Sequence, residues 1–92
     1  MKSPYTQEFS SGIAITLDYD PALQTITRTP RDPVRMSANT PFWFLLEVVF
    51  DVYPEIHRTY SRGGIGFSLN GSMPKSYSPL FDGDVVSLFM LE

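Results

Sequence analysis

The chain is patterned for strands near both ends and for a helix between them. Ile13-Ala14-Ile15-Thr16-Leu17 alternates, which sets Ile13, Ile15 and Leu17 on one face of a first strand. Asp18-Tyr19-Asp20-Pro21 breaks it. The aspartates there read as turn caps, because neither the glycine nor the terminal glutamate of a calcium loop follows. From 23 to 29 the β-branched Thr25, Ile26, Thr27 and Thr29 predict a segment that pairs with the first strand or extends it. Pro30 and Pro33 exclude a continuous central strand, so a short strand over 34–37 is expected, with Val34 and Met36 facing inward.

A helix is predicted over 41–53. Thr40 suits the N-cap, Pro41 the first helical position, and Pro54 stops the helix by keeping the residue before it out of the helical region. The span makes about three and a half turns, roughly 20 Å. Phe42, Leu45, Leu46, Val49 and Tyr53 form one inward stripe, and Glu47 and Asp51 mark the solvent side. One stripe cannot bury Trp43, Phe44, Val48, Phe50 and Val52 as well. Trp43 and Phe50 share one flank of the helix, and Val48 and Val52 share the other. Either the chain's own N-terminal arm or the 23–35 segment covers them, or they form a candidate partner surface, since aromatic side chains anchor interfaces. Residues 55–64 read as a polar connection, with the lone histidine, His57, as a surface residue.

The C-terminal third carries the densest local signals. Ile65-Gly66-Phe67-Ser68-Leu69 alternates as a strand, and Asn70-Gly71 tolerates the positive φ of a tight hairpin turn. A short return strand, blunted by Pro74 and Lys75, is expected over 73–77. Asp82-Gly83-Asp84 is a second turn, and its carboxylates fit the turn better than an acid/base pair. The run from Val85 to Leu91 is apolar on both faces, Val85, Phe89 and Leu91 on one and Val86, Leu88 and Met90 on the other. That marks a central strand, or one whose second face meets a partner.

Composition narrows the classes of function. Ninety-two residues suit one small domain, expected at 13–92 behind a loosely held arm at 1–12 attached through Tyr5 and Phe9. With no cysteine there is no disulfide, thiolate metal site or cysteine nucleophile. A net charge of -3 argues against nucleic-acid binding, although Arg28, Arg31 and Arg35 gather around Asp32. Glu47 and Asp51 interrupt the longest apolar run, which excludes a membrane span, and no secretory signal is visible, so the expected location is the cytoplasm. No residue set predicts a cofactor or a catalytic site.

The order strand, strand, helix, strand, short strand, strand defines an α+β domain. Asn70 opening a hairpin, Pro79-Leu80, and Asp82-Gly83-Asp84 before a terminal apolar strand together resemble the ubiquitin-like sulfur carriers, the small subunit of molybdopterin synthase and the carrier of thiazole synthesis. The resemblance implies a β-grasp fold: a mixed sheet of four to five strands with one main helix packed on one face. It also implies that the first and last strands run parallel and adjacent at the centre. In those carriers a terminal Gly-Gly is activated by ATP as an acyl-adenylate and becomes a thiocarboxylate. Here the tail reads Met90-Leu91-Glu92. The expected function is therefore a non-catalytic ubiquitin-like binding module or accessory subunit, with a protein partner or a second copy of itself. The alternative is a small sulfur carrier activated at its C-terminus by an adenylating enzyme.

Overall fold

Ile13, Ile15, Leu17 and Tyr19 are buried along one side of strand β1 (Ile13–Tyr19), and Ala14, Thr16 and Asp18 point to the other. The computed structural model describes residues 12–91, so Tyr5, Phe9 and Glu92 lie outside the described residues, as does the expected arm apart from Gly12. After β1 come α1 (Gln24–Thr27), β2 (Arg31–Met36), α2 (Phe42–Val52), α3 (Pro54–Ser61), β3 (Ile65–Leu69) and β4 (Val85–Met90). The strands form one sheet in the order β2-β1-β4-β3. β1 pairs with β4 in parallel, from Thr16 opposite Val85 to Tyr19 opposite Leu88, and the two outer pairings are antiparallel.

The core lies between one sheet face and the helices. Ile15, Leu17, Val34, Val86 and Leu88 from the strands meet Phe42, Leu45 and Val49 of α2 and Ile56 of α3. β4 is a central strand, as its two apolar faces predict. Its Val86 and Leu88 are fully buried under the helices, and Phe89 lies half-buried on the opposite face. A side chain at Gly66 would collide with the Phe89 ring, so the glycine gives that ring its seat.

Four expectations about local structure are corrected. First, residues 24–27 form a helical turn and not a strand. Asp20 Oδ1 accepts the Leu23 N–H at 3.0 Å, and burying Leu23 outweighs the β preference of its neighbours. Second, β2 begins at Arg31 and includes Pro33, which is tolerated because β2 is a sheet edge.

Third, 54–61 is a second helix. Tyr53, at φ -125° and ψ 81°, leaves the helical region as a residue before proline does, and Pro54 then starts α3 from its first turn. Fourth, no return strand forms over 73–77; only Ser72 bridges back to Leu69. The turn itself is as expected, with φ of 50° at Asn70 and 85° at Gly71.

α2 also starts differently at its first residues. Pro41 is the N-cap, in extended conformation, and the Thr40 hydroxyl donates to Ser37 O at 2.6 Å and caps nothing. Within the stripe, Leu45 is the fully buried leucine and Leu46 is half-buried at the rim. Leu45→Ala is expected to cost about 2–5 kcal/mol, as other large-to-small core changes do. Leu46→Ala should cost clearly less. Paired denaturant melts check this, and equal losses would mean that the helix is rotated from the position described.

Candidate protein-interaction surface

The first turn of α2 is capped by backbone from the loop that follows the hairpin. A helix leaves its first amides without internal partners. Here Phe42 N–H donates to Ser78 O at 2.8 Å and Trp43 N–H to Ser76 O at 2.9 Å. Leu80 N–H returns a bond to Thr40 O at 2.9 Å, and Leu80 is fully buried. These bonds hold residues 76–81 beside the start of α2. Leu80 enters the core, while Tyr77 and Phe81 stay 69% and 59% exposed.

Trp43 and Phe44 project from the same turn at 46% and 44% exposure, their rings edge to face with centroids 5.9 Å apart. The other three predicted surface residues are accounted for by the chain. Val48, Phe50 and Val52 are half-buried against the core. Cover for Phe50 comes from α3, and the expectation about the arm falls outside the described residues. The Phe50 ring stacks on His57 of α3 at 4.7 Å and lies 5.1 Å from Tyr60. Tyr60 and Phe42 both reach Phe67 of β3, extending the aromatic chain to the sheet. A shallow groove remains between Trp43, Leu46, Phe50 and His57, with Glu47 and Asp51 at its side. Sequence reading missed Met73, Tyr77 and Phe81 as exposed apolar residues. The signal was their place in a loop rich in serine and proline, where large side chains have little to pack against.

Of the second predicted set, Asn70, Asp82, Gly83 and Asp84 are brought together as a clasp, while Gly71 serves only the turn beside Asn70. Asn70 Nδ2 donates to Asp84 Oδ1 at 2.9 Å, and Asn70 Oδ1 accepts from Val85 N–H at 2.8 Å. Asp84 Oδ2 accepts from Phe81 N–H at 2.8 Å, and Asp82 Oδ1 from Ala14 N–H at 2.8 Å. Gly83, at φ 88°, turns the chain so that its own N–H reaches Ala14 O at 2.8 Å. Every carboxylate oxygen so engaged is accepting a structural hydrogen bond. At the far end of β4, Met90 N–H donates to Asp20 Oδ2 and Leu91 N–H to Gly64 O, each at 2.8 Å.

Of the arginine group, Arg31 pairs with Asp18 at 3.3 Å on the open sheet face, where both are exposed to solvent. Asp32 turns the other way, into the core, where the hydroxyls of Tyr19 and Tyr53 donate to its Oδ2 at 2.8 and 3.0 Å. Burial pushes the Tyr53 phenol up to about 12, and its hydrogen bond to Asp32 and that carboxylate's charge push the same way; the hydrogen bond with Tyr19 pulls it down. Among the described residues no group of three histidine, aspartate or glutamate side chains is placed to hold a metal ion. No helix among them is long and apolar enough to cross a membrane.

Together, a four-stranded mixed sheet with a parallel central pair, helices on one face and a clasped terminal strand make up the ubiquitin-like β-grasp fold. Solved structures agree. Molybdopterin converting factor subunit 1 from Pyrococcus furiosus, by its description, superposes with a TM-score of 0.77 at 14% identity, over 87% of this chain and 99% of that one. The Haloferax volcanii HVO 2177 protein gives 0.74 at 16%, over 95% and 92%. Small archaeal modifier protein 1 of H. volcanii gives 0.69 at 16%, over 85% and 97%. At these identities the likeness is one of fold. No protein-family model and no curated protein matches the chain.

The Tyr53 phenol gives a pH test. Its proton is held more tightly in the folded state than at the ordinary value of 10.0, so the stability it adds is intact below about pH 10. That stability is lost as pH rises towards about 12. Absorbance titration should show the Tyr53 phenol ionising towards about pH 12, as the contribution that Tyr53→Phe removes.

Proposed function

We propose that this chain is a ubiquitin-like protein-binding module that engages a partner protein through Trp43 and Phe44 at the start of α2, with Tyr77 and Phe81 beside them. The observation that carries this is the exposure of both aromatic rings on the most apolar helix of the domain. Each leaves on the order of 2 kcal/mol of burial unrealised, taking about half of a 150–250 Å² side chain at roughly 25 cal/mol/Å². α3 covers Phe50, whereas Trp43 and Phe44 are the exposed rings of α2. The location proposed is the cytoplasm, and the ligand is a protein and not a nucleic acid.

A second reading, a small sulfur carrier activated by an adenylating enzyme, is favoured by the fold likeness to the molybdopterin converting factor subunit. Intact mass after incubation with such an enzyme, ATP and a sulfur donor separates the two readings. A sulfur-for-oxygen gain at the C-terminus supports the carrier.

The binding reading is tested with the full chain and its Trp43→Ala/Phe44→Ala variant as baits in extracts of the native cells. The wild type should retain a defined partner that the double variant loses by about tenfold or more, since aromatic hot spots carry interface energy of 2 kcal/mol and above. The two should melt alike, because both rings are already half in solvent. Equal retention by the two baits would place the interface elsewhere.

A further inference from the structure

In an antiparallel ladder the N–H and C=O of successive residues point alternately to the two sides of a strand. Two bonds fix the phase in β3: Leu91 N–H to Gly64 O, and Asn70 N–H to Val85 O. With Gly66 opposite Phe89 and Ser68 opposite Ser87, the even-numbered residues face β4. Ile65, Phe67 and Leu69 therefore turn their backbone groups to the outer edge. Leu69 is occupied, exchanging bonds of 2.7 and 3.0 Å with Ser72. Past Ser72 the chain leaves the strand to cap α2, and the outward N–H and C=O of Ile65 and Phe67 bond to no described residue. Two donors and two acceptors are left at strand spacing on a sheet edge.

An apolar groove of about 320 Å³ opens along this edge, between Phe42, Leu46 and Tyr60 on the helix side and Met73 and Pro74 on the other. None of its lining residues is charged. Two cations neighbour the groove residues in the chain. Arg62 lies just before the strand, and Lys75 lies between Pro74 and Ser76 with its ammonium 6.0 Å from the Tyr77 ring; both are exposed, and neither forms an ion pair among the described residues.

We propose that the β3 edge accepts an extended peptide of a partner protein as a further strand, with alternate apolar side chains entering the groove and acidic residues flanking them. Main-chain bonds to Ile65 and Phe67 would set its register, the groove would select its side chains, and Arg62 and Lys75 would select its charge. Charge also decides against a second copy as the occupant. Two edges paired with each other would bring Arg62 and Lys75 of one chain against the same cations of the other. The site rests on the reading of the chain as a protein-binding module, but not on the Trp43 surface.

The test selects a displayed library of random dodecapeptides against the full chain, then binds the enriched peptides to isotopically labelled protein. Enriched sequences should alternate apolar residues between acidic flanks, and the largest amide shifts should fall on Ile65 and Phe67, with peptide backbone protons close to theirs. Reversing the charges in Arg62→Glu/Lys75→Glu should weaken binding about tenfold, whereas Trp43→Ala should leave it within about twofold. The proposal is overturned if no peptide is enriched, if the shifts map elsewhere, if charge reversal changes nothing, or if Trp43→Ala abolishes binding. Sedimentation showing a dimer joined through β3 would overturn it too. Failure here, with a partner still held through Trp43 and Phe44, leaves the proposed function standing.

Discussion

The last strand of this chain has to find a place beside the first, in parallel, across most of the sequence. A contact between residues so far apart closes a large loop before it returns any energy, so its register must be fixed by something more specific than apolar burial. Aspartates at the two ends of the β1–β4 pair supply it. At one end Asp82 holds the Ala14 N–H while Gly83 reaches Ala14 O and Thr16 N–H reaches Asp84 O. At the other, Asp20 donates its N–H to Leu88 O and accepts from Met90 N–H. A one-residue slip would break all of these and turn Val86 and Leu88 out of the core.

The same clasp fixes the route of the chain between β3 and β4. Asn70 ties the hairpin turn to Asp84 and Val85, so the end of β3 and the start of β4 are held together. Residues 73–81 must then make an excursion, and they use it to cap α2 with the carbonyls of Ser76 and Ser78. Because their backbone is spent on the helix, it is not available to β3. The open edge at Ile65 and Phe67, and the display of Tyr77 and Phe81 beside Trp43, are two consequences of one routing.

Much of this was legible in the sequence wherever a residue had a single physical use. Asn70-Gly71 and Asp82-Gly83-Asp84 sit in turns because of the backbone angles and amides they can serve, and the double-faced apolar run of β4 read as a central strand or one meeting a partner, of which the sheet order gives the first. Pro54 shows the limit. A proline ends one helix and suits the first turn of the next equally well, and the polar residues after it hid the second helix, whose only buried side chain is Ile56. Local preference misled at Thr25, Ile26 and Thr27, where burial of Leu23 and the cap from Asp20 decide the structure. For the candidate surface, helical spacing gave Trp43 and Phe44. It also gave Phe50, Val48 and Val52, but not that they pack half-buried against the core, with Phe50 stacked on α3. The loop residues Met73, Tyr77 and Phe81 have no periodicity to read.

Residue-resolved amide hydrogen exchange on the free chain tests most directly whether the clasped terminal strand leaves β3 an open edge. Amides of β1 and β4 should exchange slowest, Met90 among them through its bond to Asp20. Within β3, Gly66 and Ser68 should be protected while Ile65 and Phe67 exchange fast. Uniform protection from 65 to 69, or a β4 exchanging as fast as the 73–78 loop, would contradict the account.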